Sequence, residues 1–230
     1  MNISEENKKW VDEIWEKLDS KLKKVSERSK EKIPYTTVNG VHDNMVETDI
    51  TWWTNGFWPG MMWLMYVCTN DECYRVAAEN AEWLLDKAFE EYDGLHHDVG
   101  FMWHISSGVN YRLFGGAKSR LRTIYAANML ASRYNAEGKF IRSWNDDHNG
   151  WVIIDSMMNI PLLYWAAKEH NDDRYRYIAE HHADTVNELT GIQIQRACDN
   201  LCCDKTVITV HEQCLCCTAA DVESDVLLIE

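Results

Sequence analysis

A ten-residue segment occurs twice in this chain, and the recurrence constrains its fold more than any other feature. Asn70-Asp-Glu-Cys-Tyr-Arg-Val-Ala-Ala-Glu and Asn171-Asp-Asp-Arg-Tyr-Arg-Tyr-Ile-Ala-Glu agree at six of ten positions, 101 residues apart. A fainter copy, Gly115-Gly-Ala-Lys-Ser-Arg-Leu-Arg, lies between them, with Arg120 and Leu121 where Arg75 and Val76 fall. Each copy begins with turn formers and opens a helix with small or apolar residues on one face: Cys73, Ala77, Ala81, Leu84 and Ala88 in the first. Another apolar helix precedes each turn, at 60–67 and 157–167. Helix, short turn and helix, repeating every 45 to 56 residues, describe an array of α/α-hairpins.

One helix of each pair is the richer in large apolar side chains. Trp58, Met61, Met62, Leu64 and Met65 contrast with the charged segment 72–91, which predicts an inner and an outer layer in a curved solenoid or closed toroid. Pro59 and Pro161 fit the first turns of inner helices, where a missing N–H costs nothing. An amphipathic helix with Val11, Ile14, Trp15, Leu18, Leu22 and Val25 on one face precedes the array. A loop broken by Pro34 and Gly40 follows it over 33–49.

Composition narrows the function. The chain has 230 residues and a formal charge of -14, which argues against nucleic acid and anionic membrane surfaces as partners. No run approaches the ~20 apolar residues of a membrane span, and the charged start MNISEENKKW lacks a signal-peptide core, so the expected location is cytoplasmic. The last aromatic residue is Tyr177, whereas six of the eight cysteines lie from Cys198 onward. That change divides the chain into a helical domain over 1–187 and a cysteine-rich tail over 188–230, expected to have low order from about Gly191 or to stem from a shifted reading frame. Cys198, Cys202, Cys214, Cys217 and His211 resemble zinc spacing only loosely, and no metal is expected.

The repeat also aligns the residues able to do chemistry. Asn55 precedes Asn70 by 15 residues, Asp98 precedes Gly115 by 17, and Asp155 precedes Asn171 by 16. A helical span of that length is about 24 Å, so all three fall at the ends of inner helices opposite the turns. Trp52, Trp53, Trp103 and Trp144 accompany them, and indole faces suit pyranose rings, while Trp83 and Trp165 read as core. From the residues alone Asp98 and Asp155 read first as helix caps and second as catalytic carboxyls, and the apolar run before Asp155 suggests a raised pKa. His96 and His97 beside Asp98 suggest a structural or substrate-contacting role, and His181 and His182 a solvated outer helix.

Three motifs, Trp52-Trp-Thr-Asn-Gly-Phe-Trp-Pro-Gly, His97-Asp-Val-Gly-Phe-Met and Asn149-Gly-Trp-Val-Ile-Ile-Asp-Ser-Met-Met-Asn-Ile-Pro-Leu-Leu-Tyr-Trp-Ala, resemble the unsaturated glucuronyl hydrolase family, glycoside hydrolase family 88. The resemblance runs from about Trp10 to Thr185 and covers the N-terminal half of such a protein. It implies an all-α (α/α)6 barrel, here incomplete at about half the ring. The implied substrate is an oligosaccharide with an unsaturated uronic acid at its non-reducing end. By motif, Asp155 matches the proton donor and base, Asp98 the second essential aspartate, and Trp53, Asn55, His97 and Trp144 substrate-contacting positions. The family hydrates the C4=C5 double bond of the uronate and needs no metal or organic cofactor. Truncation is expected to impair that activity, because the family continues where this chain changes character. An unsaturated rhamnogalacturonyl hydrolase and a non-catalytic half-toroid interaction module are the alternative readings, and the sequence carries no expectation of oligomeric state.

Overall fold

The computed structural model describes residues 4–145, 150–201 and 226–228, with side chains up to residue 189. The cysteines from Cys202 to Cys217, and with them the zinc-like spacing, lie outside the described residues. Helices dominate: α1 (Glu5–Arg28), α2 (Met45–Thr48), α3 (Phe57–Thr69), α4 (Glu72–Leu85), α5 (Val99–Ile105), α6 (Ser107–Phe114), α7 (Ala117–Ser132), α8 (Pro161–His170) and α9 (Asp173–Leu201). No helix of the described residues is long and apolar enough to cross a membrane. Among the described residues, strands are confined to short two-stranded ladders: β1 (Thr37–Val38) with β2 (Val41–His42), β3 (Tyr134–Asn135) with β4 (Phe140–Ile141), and β5 (Trp151–Ile153) with β6 (Val226–Leu228). The 33–49 stretch is therefore a hairpin as well as a loop. Asn39 and Gly40, with φ of 52° and 76°, form the tight turn that an Asn-Gly pair favours.

The repeat marks three helical hairpins, α3–α4, α6–α7 and α8–α9. Asn70, Gly115 and Asn171 each take the left-handed conformation at the C-terminus of the first helix, with φ of 56°, 71° and 51°. Glycine adopts this geometry freely and asparagine more readily than other residues, so each stops its helix and reverses the chain. In the second hairpin the reversing residue is Gly115 rather than the adjacent Gly116. An aspartate follows each asparagine and starts the next helix: Asp71 accepts from Cys73 N–H at 3.0 Å, and Asp172 from Arg174 N–H at 3.0 Å. The first helix of the middle hairpin is broken at Ser106 into α5 and α6. Helix α9 runs past the compositional boundary at 187 and reaches Leu201.

The chain forms two compact units, one built on residues up to Leu95 plus Met102–Arg122, the other on His96–Phe101 plus the chain from Thr123. In the first unit, Trp58, Met62, Trp63 and Met65 of α3 pack inward, facing Tyr74, Ala77, Ala78, Ala81 and Leu85 of α4. Ala77, Ala81 and Ala88 of the expected face are buried, but its edges differ: Cys73 is exposed and Leu84 only half-buried, while Tyr74 and Leu85 beside them are buried. Trp83, read as core, is 65% exposed, while Trp103, read as lining a site, is fully buried against Phe89. Only the second half of α1 packs well. Val25 is buried and Tyr74 Oη donates to Asp19 Oδ1 at 2.7 Å, whereas Trp10, Val11, Ile14, Trp15 and Leu18 remain exposed.

A buried carboxylate ties four helices of this unit together. Glu82 of α4 has no solvent exposure and accepts from Trp63 Nε1 at 2.7 Å, Ser107 Oγ at 3.0 Å, Asn110 Nδ2 at 3.2 Å, Ser119 Oγ at 3.3 Å and Arg122 Nη1 at 3.2 Å. Those donors come from α3, α6 and α7. Burial pushes the Glu82 carboxyl up from its ordinary value, against the donors, which pull it down. Removing one partner of such a network strands the others in a medium without water. Glu82→Ala is expected to cost about 3 kcal/mol or more of unfolding free energy. Chemical denaturation measures it, and a loss below 1 kcal/mol would contradict the assignment.

Candidate active site

Two segments of the second unit carry the aspartates. Asp98 stands immediately before α5, in a turn whose backbone is held by Val99 N–H on the His96 carbonyl and Gly100 N–H on the His97 carbonyl. Asp155 lies in a 3-10 turn, Ile154–Met158, that follows β5 and leads into α8. The inner-helix approaches predicted from the repeat are therefore where the structure places both residues.

Asn159, just beyond the Asp155 turn, connects the two segments. Its Oδ1 accepts from Phe101 N–H at 2.9 Å, which fixes the orientation of the amide and turns Nδ2 toward His97 Nδ1, 3.4 Å away. An amide NH2 can only donate, so His97 Nδ1 is the acceptor and the ring proton sits on Nε2. Gly100 makes the approach possible: a Cβ there would fall 2.4 Å from the Asn159 Cβ. His97 is fully buried, Asn159 1% exposed and Asp98 6% exposed.

Asp98 lies among imidazoles. His96 Nδ1 is 3.1 Å from its Oδ2, and His97 Nε2 is 3.4 Å from its Oδ1. These separations are of ion-pair length, but the groups are not aligned as hydrogen bonds, and His97 Nε2 and Asp98 Oδ1 are buried with no hydrogen-bond partner among the described residues. Burial pushes the Asp98 carboxyl up, but His96, His97 and Asn159 together outweigh it and hold the group below its ordinary value. Burial lowers His97 to about 4, so it is a neutral donor beside an ionised acceptor. The ligand-type atoms of His96, His97 and Asp98 lie within 4.8 Å of one another. A metal would need His97 Nε2 bare, and Asn159 sets the opposite tautomer. The arrangement suits a polar hydroxyl that accepts from one atom and donates to the other.

Asp155 differs from expectation. Its side chain is exposed, because Val152 and Ser156 take the buried positions of this stretch; the apolar neighbours therefore do not enclose it. Ser156 is buried, and its Oγ lies 2.7 Å from Nε2 of His182. His182, expected to be solvated, is fully buried on α9, whereas His181 is exposed and meets Tyr134 Oη at 2.8 Å. Trp144 is half-buried, edge-on to Trp151 at 5.9 Å. Its loop is braced by Arg133, which donates to the carbonyls of Arg142, Ser143 and Trp144 and to Asn145 Oδ1. His97 N–H donates to the same Ser143 carbonyl at 3.3 Å.

The remaining candidates belong to the first unit. Trp53 is 39% exposed and packs edge-on against Phe57. Asn55 is buried, and its Nδ2 donates to the carbonyls of Asp49 and Ile50 at 3.0 and 2.9 Å, holding the turn before α3. Sequence reading missed Asn159 and His182 as site-building residues. The first was visible as a polar residue in an apolar motif, four places after Asp155; the second offered no signal, since it sits in a charged helical stretch.

The buried imidazoles make stability depend on pH in a definite direction. Burial depresses both His97 and His182 to about 4, below the ~6.5 of an unfolded histidine. The unfolded chain then binds more protons between those values, so their contribution is complete above about pH 6.5 and is lost as pH falls toward 4. Unfolding free energy should fall by up to ~1.4 kcal/mol per pH unit for each histidine across that window. Urea denaturation from pH 7 to pH 4.5 checks it, and a flat or rising profile on acidification would contradict the burial of these rings.

No protein-family model matches the chain. It is 33% identical over 167 residues to the unsaturated glucuronyl hydrolase of Bacillus sp. (strain GL1), a match spanning 70% of this chain and 43% of that protein. It is 37% identical over 138 residues to the unsaturated chondroitin disaccharide hydrolase of Streptococcus pneumoniae, spanning 58% of this chain and 35% of that one. Among solved structures, a UGL variant with dGlcA-Glc-Rha-Glc superposes with a TM-score of 0.68 at 28% identity, covering 78% of this chain and 48% of the other. The unsaturated glucuronyl hydrolase of Streptococcus agalactiae gives 0.61 at 30%, covering 73% and 45%. The chain thus spans less than half the length of the proteins it matches. The hairpins are those of an (α/α)6-barrel fold, incomplete in this chain. In both sequence and fold, the matched part of this chain is similar to unsaturated glucuronyl hydrolases.

Proposed function

We propose that this chain carries the acid–base side of a site that hydrates the C4=C5 double bond of an unsaturated uronic acid at the non-reducing end of an oligosaccharide. The observation that carries the reading is the buried pair of His97 Nε2 and Asp98 Oδ1, a neutral donor and an ionised acceptor 3.4 Å apart, neither of which has a hydrogen-bond partner among the described residues. A sugar hydroxyl satisfies both, and buried polar groups left unmatched are costly. The relatives named for unsaturated glucuronyl and chondroitin disaccharide substrates support the substrate class.

The roles follow from the motif match, and the electrostatics of Asp98 agree with its part. Asp98, held below its ordinary value by its neighbours, is the ionised group that orients substrate and stabilises positive charge. Asp155, by its match to the family's proton donor, is assigned delivery of a proton to C4 once substrate is bound. Its carboxylate then takes a proton from the water that adds to C5. The product is a hemiketal, whose opening breaks the glycosidic bond, and the proton count balances over the cycle. Trp53 and Trp144 are the aromatic surfaces proposed to contact sugar, and Asn55 and His97 the further contacts. The spacing rules of retaining and inverting glycosidases do not govern such a reaction, because no displacement occurs at the anomeric carbon.

A second reading has an observation of its own. A chain spanning less than half the length of its relatives can bind the oligosaccharide without turning it over. In the 230-residue chain, NMR titration with an unsaturated chondroitin disaccharide is expected to move the signals of His97, Asp98 and Asp155, with little or no loss of double-bond absorbance. When the chain is extended with the unmatched length of a relative, turnover should appear, and Asp155→Asn should lower it by ~10²–10⁴-fold with binding largely retained. A normal rate in that variant would overturn the role of Asp155. Disaccharide that moves none of the three signals would overturn the site.

A further inference from the structure

We infer that His182 is a positioning residue that fixes the Asp98 and Asp155 segments against each other through its two ring nitrogens. The inference rests on the catalytic reading of those aspartates given above. His182 is fully buried, and its Nδ1 accepts from Ile141 N–H at 3.0 Å. That contact puts the ring proton on Nε2, which donates to Ser156 Oγ at 2.7 Å. Each bond leads to one aspartate.

On one side, Ser156 directly follows Asp155, and its carbonyl accepts from Asn159 N–H at 3.0 Å. On the other, Ile141 lies two residues before Ser143, whose carbonyl accepts from His97 N–H and from Arg133. One imidazole therefore ties the strand that supports His97 and Asp98 to the turn that bears Asp155. Its own helix is anchored beside it. Thr185 Oγ1 donates to the Lys139 carbonyl at 2.9 Å, and Val186 packs with Phe140 and Val152, flanked by Ile154 and Met157. Positions 182, 185 and 186 share one face of α9, so the helix grips both segments along a single line. A residue needed only to fill volume would not require a donor and an acceptor on opposite sides of its ring.

Side-chain substitutions can separate the two bonds. His182→Asn places an oxygen where Nδ1 sits, keeping the Ile141 bond and losing the Ser156 bond. His182→Gln reaches Ser156 and loses Ile141. Ser156→Ala removes the same bond as His182→Asn with the least disturbance to folding. Carbon-detected NMR of the 230-residue chain reads the carboxyl resonances of Asp98 and Asp155 in each. His182→Asn and Ser156→Ala are expected to displace the Asp155 resonance in the same direction and to leave Asp98 in place. His182→Gln is expected to displace Asp98 instead, and Ser156→Ala added to His182→Asn to change nothing further. Equal displacement of both carboxyls by the two His182 variants, as a packing defect produces, overturns the inference. So does an unmoved Asp155 resonance in Ser156→Ala, which decides the matter even if the His182 variants do not fold. Adding an unsaturated chondroitin disaccharide to the wild-type chain separates this claim from the one beneath it: if neither carboxyl responds, the catalytic reading fails while the positioning result stands.

Discussion

A left-handed residue at the end of α3, α6 and α8 reverses the chain at three places, and both the packing and the site depend on those reversals. Only residues that tolerate positive φ can occupy the position, which is why Asn70, Gly115 and Asn171 stand there. Once each hairpin turns at a fixed point, the start of its inner segment is fixed as well. Asn55, Asp98 and Asp155 stand 15, 17 and 16 residues before the three turns, each in or beside a short turn that leads into α3, α5 or α8.

The two compact units bury polar groups in different ways. In the first, Glu82 is saturated with donors from three other helices, and the network serves to specify how α3, α4, α6 and α7 pack. In the second, Asn159 engages Phe101 and His97 and helps hold Asp98 ionised, while His97 Nε2 and Asp98 Oδ1 have no hydrogen-bond partner among the described residues. A saturated network rigidifies, whereas one with an unmatched donor and acceptor leaves room for the ligand proposed above.

Much of this was legible in the sequence because it is local. The Asn-Asp pairs at 70–71 and 171–172 announce a left-handed stop and a following N-cap, and they appear as such. Which face of a helix is buried is less local. Trp83 looks like core by type yet is exposed, and Cys73 gives way to Tyr74, because the neighbours of α4 set the register and hydrophobicity alone does not. The burial of His182 and the exposure of Asp155 follow from the line along which α9 meets β4 and the 152–156 stretch, a tertiary fact that no spacing encodes. Asn159 stood in a motif already singled out, but its role comes from Gly100 allowing close approach across 59 positions of sequence.

The central claim is that Asn159 makes His97 a neutral donor at Nε2 beside an ionised Asp98. Nitrogen-15 NMR of the imidazole ring tests it most directly, since protonated and bare ring nitrogens resonate far apart. The account predicts a proton on Nε2 and a bare Nδ1 at neutral pH, with the ring resisting protonation until pH approaches about 4. A proton on Nδ1, or titration near the ~6.5 of a free histidine, would contradict it.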